Sequence, residues 1–333
     1  MTKLLFLAEA PFEAARRGVC GYHGHSFRLR VRAPQGANVP DADGLERHAR
    51  AVAGPLDYAL LDEHVPSAED PDLLTHLLAQ LQERGVEPAR LALRSAPDRG
   101  AGWSTSQVRP WCWRSFRFEA AHQLPRVPAG HPCGRMHGHG YEVVLESDDA
   151  DAETLGRIWQ PVGRELHRSC LNDFLDNPTS ELIAAWLWER LAAHVSLRRI
   201  HVHETEHSGC TFDGARHTIW KAQRFEAATR VAGVEDSRGQ LHGHSYRLRV
   251  HVSAPLDQVL GWTLDYGDVK QAFGPLREVL DHQRLDQLAF LGGGDLASVA
   301  RWLLHASREQ LPLIERIDVR EHPGAGVTVQ VSP

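Results

Sequence analysis

Three histidines and one cysteine fall within a short stretch and could hold a metal ion beside a base. His122 closes the run Phe118-Glu119-Ala120-Ala121-His122. Cys133, His137 and His139 stand in Cys133-Gly134-Arg135-Met136-His137-Gly138-His139-Gly140-Tyr141. On a strand, residues two apart share a face, so His137 and His139 can reach one ion. His122 ends an alternating run (Phe116, Phe118, Ala120, His122) that reads as a strand one hairpin earlier. Three neutral imidazoles with an open fourth position suit a catalytic zinc. Cys133 lies four residues before His137, close enough to serve the site without being a ligand. In a chain with 21 His, a lone His-x-His is more often a surface pair. A third histidine at hairpin distance and the nearby cysteine favour ligation.

The elements that must position these residues come in three copies. Phe-Glu-Ala-Ala occurs at Phe12–Ala15, Phe118–Ala121 and Phe225–Ala228, and His-Gly-His at His23–His25, His137–His139 and His242–His244. Each His-Gly-His leads into an alternating strand. An amphipathic stretch follows, such as Val269–Leu280, and then a second helix: Asp72–Arg84, Ser180–Ala193 and Leu296–Gln310. The middle helix has N-cap candidates at Thr179 and Ser180. Closing strands are expected at Arg90–Arg94, Arg199–His203 and Arg316–Arg320. Strands precede helices, so the fold class is α+β with an antiparallel sheet, in units of ββααβ or a close variant. The unit boundaries are 1–109, 110–219 and 220–333. Ser95–Gly102 reads as a linker, whereas His217–Phe225 runs from strand to strand.

Composition bounds the rest. With 42% hydrophobic and 24% charged residues the chain is of ordinary globular type, and a net charge of −6 gives no nucleic-acid surface. The first residues form no signal peptide, and no apolar run is long enough to span a membrane. Five scattered cysteines are not a disulfide framework and suit a reducing cytoplasm.

The middle unit resembles the 6-pyruvoyl-tetrahydropterin synthase family through Phe118–His122, Cys133–Tyr141, Asn177-Pro178-Thr179-Ser180-Glu181 and His203-Glu204-Thr205. The flanking units resemble it more weakly. A cysteine four before His-Gly-His resembles the branch that forms 6-carboxytetrahydropterin. The resemblance implies three tandem tunnelling-fold (T-fold) units closing a pseudo-trimeric β-barrel, two of which stack as a homodimer. It implies Zn2+ on His122, His137 and His139, and a pterin held by Glu204 with help near Thr179. It implies Cys133 as base, partnered by an Asp-His pair. The implied substrate is 7,8-dihydroneopterin triphosphate. The implied products are 6-carboxytetrahydropterin, acetaldehyde and triphosphate, feeding 7-deazaguanine and queuosine synthesis. Arg126, Lys221 and Arg224 are candidate triphosphate contacts. Two alternatives stand beside this: a pyruvoyl-forming or aldolase activity of the same family, and a non-catalytic zinc- or pterin-binding protein.

No single unit is complete. The middle one reads Leu166-His167-Arg168 where the family has Leu-Asp-His, whereas the third keeps Leu280-Asp281-His282 and Glu321 at the anchor position. The third has Thr229 and Arg238 in place of the first histidine and the cysteine. The first has Arg16 as its first ligand position, Cys20 one place out of step, Leu56-Asp57-Tyr58, and Ser95 without a glutamate. The expectation is a site shared between units: zinc and Cys133 from the middle, Asp281 and His282 from the third.

Overall fold

The computed structural model describes residues 2–18 and 21–331; Cys20 lies outside them. The first unit comprises β1 (Thr2–Gly18), β2 (Gly21–Pro34), α1 (Ala42–Ala53), a short β3 (Ala59–Leu60), α2 (Asp70–Glu83), β4 (Arg90–Ala96) and β5 (Arg99–Ser104). The second comprises β6 (Trp111–His122), β7 (His137–Ser147), α3 (Ala152–Leu166), β8 (Ser169–Cys170), α4 (Ser180–Leu191), β9 (Leu197–Thr205) and β10 (Ser208–Phe212). The third comprises β11 (His217–Thr229), β12 (His242–Ser253), α5 (Tyr266–Glu278), β13 (Gln283–Arg284), α6 (Leu296–Ser307), β14 (Ile314–His322) and β15 (Ala325–Val331).

Four strands from each unit join in one antiparallel sheet. Neighbouring units meet at β5–β6, β10–β11 and β15–β1, and the β10–β11 pairing closes a barrel of 12 strands. Closure removes the free edges that an open sheet would expose. The three tandem T-fold units thus imitate a trimer. The helices cover the outer face, where alternate strand residues form the core. One aromatic pair recurs in every unit: Phe12 stacks on Phe27 at 4.9 Å, Phe118 on Tyr141 at 4.9 Å, and Phe225 on Tyr246 at 4.8 Å. The partner in each pair follows His-Gly-His by two residues, so the hairpin register that stacks the rings also aligns the histidines.

One reading is corrected here. Ser95–Gly102 is not a linker but the turn and second strand of the β4–β5 hairpin. Every unit therefore has a strand beyond the expected closing one. The glycines that suggest a linker serve close approach. A Cβ at Gly100 would stand 1.9 Å from the Leu93 carbonyl oxygen, and one at Gly102 would lie 2.4 Å from the Trp111 ring. Among the described residues no helix is long and apolar enough to cross a membrane.

Candidate metal centre

The β6–β7 hairpin sets His122 directly opposite His137, and His139 opposite Ala120. His122 and His139 extend toward the same point as His137. His122 Nε2 lies 3.1 Å from His137 Nε2, and the His137 and His139 ring centres are 5.0 Å apart. The outward nitrogens are tied to backbone carbonyls. His122 Nδ1 is 3.0 Å from the Pro178 oxygen and His137 Nδ1 is 2.7 Å from the Arg135 oxygen. A carbonyl can only accept, so both rings carry the proton on Nδ1 and leave Nε2 as a lone pair. Two lone pairs facing each other at hydrogen-bond distance repel unless a cation lies between them. His122 is 1% exposed, and burial together with its imidazole neighbours lowers its pKa, favouring the neutral form that a metal requires.

Glu204, at the end of β9, joins this group. Its carboxylate is 3.1 Å from His139 Nε2 and 3.9 Å from His122 Nε2, and the four side chains together could hold one ion. Burial works to raise its pKa, but the neighbouring imidazoles of His139, His122 and His137 outweigh burial and lower it. The donor set, three imidazoles and a carboxylate, suits a divalent metal ion.

Cys133 sits in a single helical turn between the two strands. His131 caps that turn, its Nδ1 accepting from the Cys133 N–H at 3.2 Å. The other ring nitrogen reaches Asp265 of the third unit at 2.9 Å. Burial first, then the carboxylates Glu204 and Asp265, push the Cys133 thiol up. The free thiols also include Cys112, Cys170 and Cys210.

The seam with the third unit is built from the Asn177–Glu181 motif. Asn177 and Thr179 donate to the Leu260 and Gly261 carbonyls, and Glu181 accepts from the Thr263 N–H. Thr179 also caps α4 by accepting from Leu182 N–H. Its hydroxyl is thus engaged on both sides. Lys221, on β11, lies over the Tyr266 ring at 5.7 Å, where burial and Lys270 lower its pKa while Glu204 and Asp265 oppose. Arg224 is far more exposed and stands 4.0 Å from Glu226.

Asp281 and His282 are not brought to Cys133 within the chain. α5 begins beside Asp265 and ends at Glu278, so the pair stands about 20 Å along the helix axis from the His131–Asp265 contact. Asp281 accepts from the Glu226 N–H at 2.8 Å, and the His282 N–H donates to the Glu226 carbonyl. Asp57 and Tyr58 make the same bonds to Glu13. His282 (φ 57), Tyr58 (φ 56) and Arg168 (φ 62) share one left-handed turn. Part of the Leu-Asp-His signal is thus a device for pinning the short β13 to β11.

The degenerate sites are closed by their own side chains. Arg16 occupies the first ligand position of the first unit and pairs with buried Asp70 at 2.7 Å, which also accepts from Ser95 at 2.5 Å. A fixed guanidinium thus replaces an ion. Thr229 donates to the Gly294 carbonyl. Burial raises the Glu321 pKa to about 7, with Asp43 nearby adding to the effect. Arg238, at the cysteine position, is held by Asp236, Asp41 and Asp43.

Residue spacing did not point to His131 or Asp265. The available signal was His131 two places before Cys133, and an Asp-Tyr pair opening a helix in the third unit alone.

The family model for 6-pyruvoyl tetrahydropterin synthase matches residues 112–215 and again 218–331. The chain belongs to that family, in tandem copies. A 6-carboxy-5,6,7,8-tetrahydropterin synthase from Synechocystis is 36% identical over 111 residues, which are 28% of this chain and 84% of the relative. A dihydroneopterin monophosphate aldolase from Pyrococcus furiosus is 33% identical over 103 residues, 28% of this chain and 87% of the relative. The structure of Caenorhabditis elegans 6-pyruvoyl tetrahydropterin synthase aligns at 19% identity with a TM-score of 0.32, covering 34% of this chain and 95% of that one.

Proposed function

We propose that the chain is a zinc-dependent 6-carboxy-5,6,7,8-tetrahydropterin synthase acting on 7,8-dihydroneopterin triphosphate in queuosine biosynthesis, in the cytoplasm. The observation that carries this reading is the convergence of His122, His137 and His139, with Nδ1 of His122 and His137 locked, beside the Cys133 turn and Glu204. Zinc at the three imidazoles would supply Lewis acidity and a template for the side-chain hydroxyls. Glu204 offers two acceptor oxygens to the paired N–H groups of a pterin edge. Taking up that role requires it to turn from His139 to the substrate. Lys221 is the basic group best positioned for the phosphate tail.

Cys133 takes a carbon-bound proton as thiolate. Burial and the carboxylates of Glu204 and Asp265 raise its pKa. Positive charge must therefore come from the ion and from an imidazolium. His282 of a second, stacked chain is the proposed partner, held by Asp281. Stacking two barrels would bring the third unit of one chain to the middle unit of the other.

Incubation with dihydroneopterin triphosphate, with products identified by mass spectrometry, tests the reading. The expected product is 6-carboxytetrahydropterin. The Pyrococcus furiosus relative supports a second reading, side-chain cleavage by an aldolase, which would instead release a hydroxymethyl pterin. Finding the pyruvoyl product, or no turnover by metal-loaded protein, would reject the carboxy assignment.

A further inference from the structure

The inner face of the barrel carries an unbalanced positive charge. Alternation assigns one face of each strand to the core and the other to the lumen. In β2, Leu29 and Val31 are buried in the core while Arg28, Arg30 and Arg32 face inward, opposite Glu9 and Leu7 of β1 and Arg94 and Arg90 of β4. In β12, Arg247 and Arg249 face inward opposite Arg320 and Asp318 of β14.

Carboxylates at mid-barrel are too few for these cations. Glu9 is shared by Arg28, Arg30 and Arg320 at 3.6, 2.6 and 2.9 Å. Asp318 is shared by Arg32 and Arg316 at 3.7 and 2.7 Å. Glu146 is shared by Arg90 and Arg199 at 3.6 and 3.4 Å. Arg94, Arg247 and Arg249 have no carboxylate partner among the described residues; Arg94 bonds backbone oxygens and Arg249 stacks on Trp220 at 3.9 Å. The buried Nε atoms of Arg32 and Arg316 have no acceptor among the described residues. Nearer the His-Gly-His end of the same face, Arg117 pairs with Glu142 and Arg224 approaches Glu226, so the excess is concentrated at mid-barrel.

The lumen has room for a counter-ion. A barrel of about eight strands is filled by its own side chains, whereas 16 to 18 strands leave an aqueous channel; the 12 strands here stand between. Arg28 and Arg30 keep 48% and 43% of their side-chain surface accessible although they point inward. Burial, with neighbouring arginines adding to it, lowers Arg90 and Arg249 to about 10. They remain charged at neutral pH, and mutual repulsion in the enclosed lumen is a standing cost.

We propose that the barrel lumen is a binding site for a small multiply charged oxyanion of the phosphate class, held by the unpaired arginines of the third and first units. Fork-shaped guanidinium groups suit such an anion. The site is separate from the metal centre, which lies on the outer, core-facing side of β6 and β7.

Calorimetric titration of the zinc-loaded full chain with inorganic phosphate tests this, with melting temperature as a second readout. Phosphate is expected to bind, to raise the melting temperature, and to bind more weakly at roughly 0.5 M salt. Arg249→Gln and Arg94→Gln, from different walls, should each weaken binding about tenfold. Without phosphate each should melt no lower than wild type, because repulsion is relieved; a merely structural arginine would lower it. Arg50→Gln, on the exposed face of α1, should leave phosphate affinity unchanged. Absence of binding to the wild type, wild-type affinity in both arginine variants, or loss of binding in Arg50→Gln would each overturn the proposal.

Discussion

At the scale of single residues, the centre depends on which ring nitrogen is free. Pro178 and Arg135 carbonyls hold Nδ1 of His122 and His137 in the protonated form, so no rearrangement is needed to receive an ion. His122→Ala should therefore lose the metal, and His242→Ala should not. Elemental analysis is expected to give one zinc per chain; two or three tightly bound ions would reject the assignment. Arg16 makes the opposite case. It is the partner of a buried carboxylate, with side chains of Arg16 and Asp70 each 10% exposed. Removing one member of a buried pair leaves an uncompensated charge, so Arg16→Ala should cost roughly 3–5 kcal/mol in denaturant unfolding. A loss below about 1 kcal/mol, typical of a surface pair, would contradict that description.

At the scale of elements, the seam between the second and third units is where α4 begins. Glu181 is 2% exposed and accepts from the Thr263 N–H and the Ser180 hydroxyl. Burial dominates and raises its pKa from 4.5 to about 7. A raised carboxyl pKa means that the folded state binds the proton more tightly than the unfolded one. Its contribution is most favourable below the unfolded value and is lost as pH climbs through about 7. The difference amounts to roughly 3 kcal/mol across that window. Glu181→Gln keeps an acceptor for Thr263 and removes the titration. The gap in unfolding free energy between variant and wild type should therefore widen in the variant's favour from pH 5 to pH 8. A gap that stays constant over that range would show that Glu181 does not titrate there.

The whole molecule has one barrel but three unlike seams. Only the seam between the second and third units carries the three histidines, the cysteine and the Glu204 carboxylate. The proposed second chain would complete it. Light scattering should then give the mass of two chains; a mass near six chains would reject the stacked pair. Cys133→Ala and His282→Ala should each lower turnover by about 10²–10⁴ while retaining zinc. Their mixture discriminates the geometry. If each site takes Cys133 from one chain and His282 from the other, a mixed dimer has one intact site, and random pairing should restore about a quarter of wild-type turnover. No recovery on co-expression would mean that the two residues do not meet across chains.

Local spacing made much of this legible. The hairpins, the second helices and the three histidines follow from periodicity two, periodicity 3.6 and a repeated motif, all of which act over a few residues. The Thr179 cap and the strand-to-strand passage at His217–Phe225 were legible for the same reason. Contacts between distant segments were not. Gly100 and Gly102 look like linker residues because a sequence shows their small size but not the Leu93 carbonyl and the Trp111 ring that demand it. Asp281-His282 looks like a missing half of the centre because complementary losses reveal no distances. Only the packed barrel sets α5 with its first turn at His131 and its last turn a helix length away. Glu204 stands among the histidines because β9 pairs with β7, an alignment between strands some 60 residues apart. Likewise each strand by itself shows only alternating arginines. Their shared, under-compensated lumen exists because closure at β10–β11 turns all those faces toward one axis.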